Sequence, residues 1–182
     1  LETALNTARQ TLLAEINPEG HWTGELSSSA LSTATAVMAL HLVQEETGCD
    51  HNALIQGGLQ WLAEHANEDG GWGDTVKNLS NISTTTLCWA VFHAVPHAHE
   101  KYEETVLAAD AWLTESAGGT TREKLVPAII KRYGKDRTFS VPILTHCAIA
   151  GKTNWEDVIQ LPFELAALPR TWFAALQLPV VS

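Results

Sequence analysis

The chain repeats itself, and a repeat of roughly 20 to 50 residues decides architecture before local propensity does. Residues 32–40 (STATAVMAL) and 83–91 (STTTLCWAV) share a small-polar-then-apolar pattern. The loops before them agree as well: Glu19-Gly20-His21-Trp22 corresponds to Asp69-Gly70-Gly71-Trp72, and Trp61-Leu62 anticipates Trp112-Leu113. A weaker third copy spans residues 139–151. Each unit reads as an amphipathic helix, a Gly-Trp loop and a more apolar helix rich in Ala and Thr.

Two kinds of helix follow. In the first, Leu54, Gly58, Trp61, Leu62 and His65 fall at spacings of three and four, which predicts one buried face with Gln56, Gln60 and Glu64 outside. The second kind, residues 30–43, is apolar or small around most of its circumference and reads as an inner helix packed on several sides. Gly pairs end helices, Asn67 and Asp69 cap nearby amides, and Ser28 or Ser29 and Asn81 or Ser83 are N-cap candidates. Beyond Gly118-Gly119, residues 122–133 read as a short basic helix, residues 140–150 as an apolar one, and residues 154–157 as a turn with capping chemistry. No useful β-alternation occurs, so the fold class is all-α.

Composition removes several functions. The chain of 182 residues carries 21 acidic against 11 basic side chains, a formal charge of -10, and no Lys/Arg stripe to neutralise phosphates, which argues against nucleic acid. Cys49, Cys88 and Cys147 are odd in number and lie in apolar surroundings, so they read as reduced core thiols of a cytoplasmic protein. No apolar run reaches the roughly 18 residues of a membrane span, and the first residues lack the order of a signal peptide. With no initiator Met and an apolar last segment, the sequence reads as a fragment.

Helix pairs joined by Gly-Trp loops resemble the class II terpene cyclases, in particular the squalene-hopene cyclases. The C-terminal third sharpens the likeness through Thr138-Phe139-Ser140-Val141-Pro142-Ile143-Leu144-Thr145, Leu161-Pro162-Phe163-Glu164-Leu165-Ala166, Leu168-Pro169-Arg170-Thr171-Trp172-Phe173 and Leu178-Pro179-Val180-Val181-Ser182. The resemblance implies an α/α toroid of helical hairpins, with residues 1–182 as an N-terminal, partial-toroid domain of a longer chain. It also implies structural roles for Gly20, Trp22, Gly70, Gly71 and Trp72. The chain departs from the family repeat in lacking its Gln, having Asn17-Pro18-Glu19 and Asn67-Glu68-Asp69 instead.

The family's reaction begins with protonation of an isolated alkene, which requires a carboxylic acid held neutral in a dry site. The Asp-x-Asp-Asp cluster that does this in the family is absent here, so catalytic residues are expected to lie elsewhere. Asp69 and Asp74 bracket Trp72, but an Asp beside Gly is ordinarily a turn or cap residue. Aromatic faces stabilise cations. Trp22 and Trp72 are assigned to packing between helices, whereas Trp89, on an inner helix, and Trp172, near the family-like C-terminal segment, are the candidates for touching substrate.

His93, His97 and His99 surround Pro96, which breaks the helix that would align them, so they read as a solvated helix end and not a metal site. Cys88 and His93 lack the third group of a nucleophilic triad. No cofactor or metal is expected.

The leading reading is the scaffold part of a squalene-hopene cyclase-like enzyme acting on squalene or a related linear isoprenoid. Its expected partners are the rest of the parent chain, a membrane surface reached through the parent, and another copy of the chain through an exposed apolar edge. The alternative is a non-catalytic helical module that binds a lipid or a protein. Zinc-dependent protein prenyltransferases share the toroid, but their Asp-x-Cys element has no counterpart here.

Overall fold

A computed structural model describes residues 2–22, 28–134, 136–160, 167–168 and 172. Among these residues the protein is all-helical, with α1 (Glu2–Ala14), α2 (Ala30–Thr47), α3 (Asn52–Glu64), α4 (Ile82–Ala94), α5 (Ala98–Lys101), α6 (Glu103–Ala117), α7 (Arg122–Tyr133), α8 (Arg137–Ile149) and a 3-10 turn, Trp155–Asp157. Its only extended pairing among the described residues is an isolated bridge between Ile16 and Trp22.

The repeat seen in the sequence is a repeat of structure. In the first loop the Asn17 amide donates to His21 O at 2.9 Å, and in the second the Asn67 amide donates to Gly71 O at 2.9 Å. Each loop then turns through a glycine of positive φ, Gly20 at 87° and Gly70 at 85°, a conformation that side chains disfavour. Both tryptophans reach back to the preceding helix: the Trp22 indole donates to Leu12 O at 2.6 Å and the Trp72 indole to Leu62 O at 2.9 Å. Each indole thereby adds a second donor to a carbonyl in the last turn of a helix, which the Glu15 or His65 amide meets only at 3.3 Å. The next helix starts on a side-chain cap, Ser29 accepting from the Ser32 amide and Asn81 from the Thr84 amide.

Helices α2, α4 and α8 form an inner layer, with α4 against both of the others; α3 backs α2, α6 backs α4 and α7 backs α8. Helix α4 is the centre of the core. Every residue from Ser83 to Phe92 is buried, as expected of a helix apolar around its whole girth. Trp72 seals the layers and tilts against Phe92 at 6.2 Å.

Several expectations need correction. The buried stripe of α3 is Ile55, Leu59 and Leu62, while Leu54 points to solvent and Gln56 is half-buried, because α2 lies on the Ile55 side. Among the described residues α2 packs against α3 and α4, and Leu31, Leu42 and Val43 are exposed. Cys49 is exposed just beyond the left-handed cap Gly48, so only Cys88 and Cys147 are core thiols. Trp22 makes its loop bond but is 50% exposed, because no further helix among the described residues covers it.

Candidate functional site

A concavity of about 1340 Å³ lies between α2 and α8 and is bounded by the segment after α8. Helix α2 contributes Thr35, Met38, Ala39 and Leu42, and α8 contributes Val141, Pro142, Thr145 and Ile149. Both sets follow spacings of three and four, so each is one helical face. Trp155 and Val158 add to the wall. Arg122 anchors this wall by gripping Asp157 with two bonds, from Nε at 2.6 Å and from a terminal nitrogen at 2.9 Å. The Arg122 hydrogen bond also holds the Asp157 carboxyl below its usual range.

Three titratable groups face the groove: Asp136, Arg137 and His146. Asp136 caps α8, and its hydrogen bonds with Thr138 keep its carboxyl below the usual value, so it is an anion at neutral pH. His146 is buried with Nε2 at 3.2 Å from Leu87 O, and burial lowers its pKa to about 4 despite that bond. It is a neutral imidazole that donates to α4. No group described in the groove is a neutral carboxylic acid able to protonate an alkene.

Trp89 lies outside this groove. Its side chain is buried, its indole donates to Asp110 Oδ1 at 2.7 Å, the Lys152 ammonium sits 4.9 Å from the ring centroid, and His93 meets it edge-on at 4.8 Å. His93 also stacks on His99 at 5.7 Å. Burial, then the charge of Lys152, brings the His93 pKa down to about 4, and its Nε2 is enclosed without a partner. The expected solvated helix end is therefore solvated only in part: His97 pairs with Glu100 in the open, while His93 is half-buried between Trp89 of α4 and His99 of α5. No group of three or more His, Cys, Asp or Glu among the described residues is arranged to hold a metal.

Asp69 and Asp74 are structural, as their place beside glycine implies. Asp69 accepts from the Gly71 amide, Ser80 Oγ and the Trp112 indole, and Asp74 from Asn81 and Thr84. Burial opposes ionisation of Asp69, but its three hydrogen bonds outweigh burial and hold the carboxyl below its usual value. Trp172 is exposed. Family-like residues 161–166, 169–171 and 173–182 and the loop residue Gly24 lie outside the described residues. Sequence reasoning missed Met38, Leu42 and Ile149; the α2 spacing signalled the first two, but nothing local pairs α2 with α8.

The sequence profile of the squalene-hopene cyclase N-terminal domain matches residues 5–178. The chain belongs to the squalene-hopene cyclase family. Among its relatives, a squalene–hopene cyclase of Zymomonas mobilis is 23% identical over 179 residues, covering 95% of this chain and 23% of that protein. The enfumafungin synthase of Hormonema carpetanum is 26% identical over 181 residues, covering 94% of this chain and 12% of that protein. The cyclase domain thus spans about a quarter of one relative and about an eighth of the other. No solved structure matches it significantly. The all-helical pairing of inner and outer helices is the architecture expected of a cyclase N-terminal domain, and among the described residues no helix is long and apolar enough to cross a membrane.

Proposed function

We propose that residues 1–182 form the N-terminal scaffold of a longer triterpene cyclase that folds squalene or a related linear isoprenoid and closes its rings through carbocations. The match of the family profile to nearly the whole chain carries this reading. The groove supports it chemically, since an apolar wall with a neutral imidazole and an ionised, capped carboxylate can shape a hydrocarbon but cannot protonate one. The acid then comes from the parent beyond this domain.

Of the two tryptophans proposed to meet substrate, Trp172 is exposed, whereas Trp89 already gives its ring to Lys152 and contributes by fixing α4 against α6. Cys88 and Cys147 stay protonated, burial pushing Cys147 up to about 12 and Cys88 well above its usual value, which suits a reducing, cytoplasmic setting. Membrane contact is assigned to the parent.

The test is turnover of squalene by the natural full-length protein and by residues 1–182, with cyclic products separated by gas chromatography and identified by mass. Cyclic triterpenes from the full-length protein and none from the domain alone are expected. A full-length protein that leaves squalene and shorter linear isoprenoids unchanged overturns the assignment.

A further inference from the structure

Lys152 stands just past the end of α8. Gly151 turns the chain through the left-handed region at φ 68°, and the Lys152 amide donates to Cys147 O at 2.8 Å, so its backbone is tied to the last turn of the helix. From that fixed base the half-buried side chain crosses to α4, where its ammonium lies 4.9 Å from the centroid of the Trp89 indole. Among the described residues this ammonium makes no hydrogen bond and has no carboxylate within ion-pair distance. Asp110 is near enough to favour the charged amine, but its Oδ1 is already taken by the Trp89 indole at 2.7 Å.

An ammonium is a strongly hydrated point charge, and one held against an indole without a direct anion has given up water for a weaker partner. Burial accordingly outweighs Asp110 and brings the Lys152 pKa below its usual value. The same cluster registers the charge from the other side, since His93, edge-on to Trp89 at 4.8 Å, is held neutral by burial and then by Lys152. Other lysines stand differently: Lys101 donates to Gln56 Oε1 at 2.8 Å, and Lys77, Lys124 and Lys131 are exposed. A lysine attacks an acyl carbon only as the neutral amine, so the half-buried amine on Trp89 is the better nucleophile at neutral pH.

We propose that Lys152 is the preferred acylation site of this chain and takes its acyl group from a thioester. The neutral Nζ attacks the thioester carbonyl, the C–N bond forms as the C–S bond breaks, the thiolate leaves, and the surplus proton on nitrogen passes to solvent. Nothing is oxidised or reduced. The amide product is uncharged, so the contact that pins the end of α8 to Trp89 of α4 loses its cation. The inference rests on this side-chain cluster and stands apart from the cyclase reading.

The test exposes the 182-residue chain at neutral pH to N-acetyl-S-acetylcysteamine, an uncharged thioester that a chain of formal charge -10 does not repel, and follows each lysine by peptide mass spectrometry. Lys152 should be acetylated more than about threefold faster than Lys77 and Lys131, and urea should abolish the preference by unfolding the cluster. Asp110→Asn keeps an acceptor for the indole but removes the charge that favours the ammonium, so it should speed Lys152 further and leave Lys77 as it was. Circular dichroism verifies that the variant keeps its helices. Equal rates at Lys152 and the exposed lysines overturn the proposal, and so does a preference that survives urea. A rate at Lys152 that is unchanged or slower in folded Asp110→Asn overturns the electrostatic origin assigned to it.

Discussion

Acid should unfold this domain before its carboxylates titrate, because of His146. The imidazole is buried between α8 and α4, and its pKa falls from 6.5 to about 4. In the folded chain it stays neutral, while in the unfolded chain it takes a proton below about pH 6.5. The folded form therefore binds fewer protons throughout this interval, so its stability is fully present above 6.5, is lost as pH falls towards 4, and loses nothing further from this group below that value. At about 1.4 kcal/mol per unit, the loss approaches about 2 kcal/mol near pH 5 and about 3 kcal/mol near pH 4. His93 shifts in the same direction and adds to the effect from a more exposed position.

Urea unfolding followed by far-ultraviolet circular dichroism at a series of pH values measures this. With a slope of about 2 kcal/mol per molar urea, the midpoint should fall by about 1 M between pH 7 and pH 5. His146→Gln keeps a donor for Leu87 O without a titrating ring, and should flatten much of that fall. A midpoint unchanged between pH 7 and pH 4.5, or a variant as acid-sensitive as the parent, would refute the reasoning.

The two Gly-Trp loops should differ in energetic weight although they share a geometry. An alanine Cβ at Gly70 would lie 2.7 Å from Ala108 O, whereas at Gly20 it would meet nothing within 4 Å. Gly70→Ala should therefore cost about 2 to 4 kcal/mol and Gly20→Ala about 1 kcal/mol, measured by urea midpoint. Trp72→Phe should likewise cost about 2 to 4 kcal/mol, by opening a cavity and removing the buried indole bond to Leu62 O, against less than about 1 kcal/mol for Trp22→Phe. Arg122→Ala should cost only about 1 kcal/mol globally but speed amide exchange across residues 154–160, because it releases the wall of the groove from α7; unchanged exchange there would contradict the anchoring role.

Much of the fold was legible because its signals are local. The basic helix read at residues 122–133 is α7, and the caps at Ser29 and Asn81 follow from side chains that bond amides three residues on. The stripe on α3 was misread because Leu54 and Ile55 are both apolar, and choosing between neighbours turns a helix by about 100°. Only the position of α2 decides it. The groove was not legible for the same reason: Leu42 and Val141 each show a helical period, but no periodicity states that two helices so far apart in sequence flank a common space. His93 was read as solvated because its covers, Lys152 and His99, come from other elements.

The central claim is that this chain is the scaffold part of a cyclase whose acid lies outside it. The natural coding region around residues 1–182 tests this most directly. The account predicts an open reading frame several times longer that encodes an Asp-x-Asp-Asp cluster beyond this domain. A frame confined to these residues, or a long one with no such cluster, would contradict it.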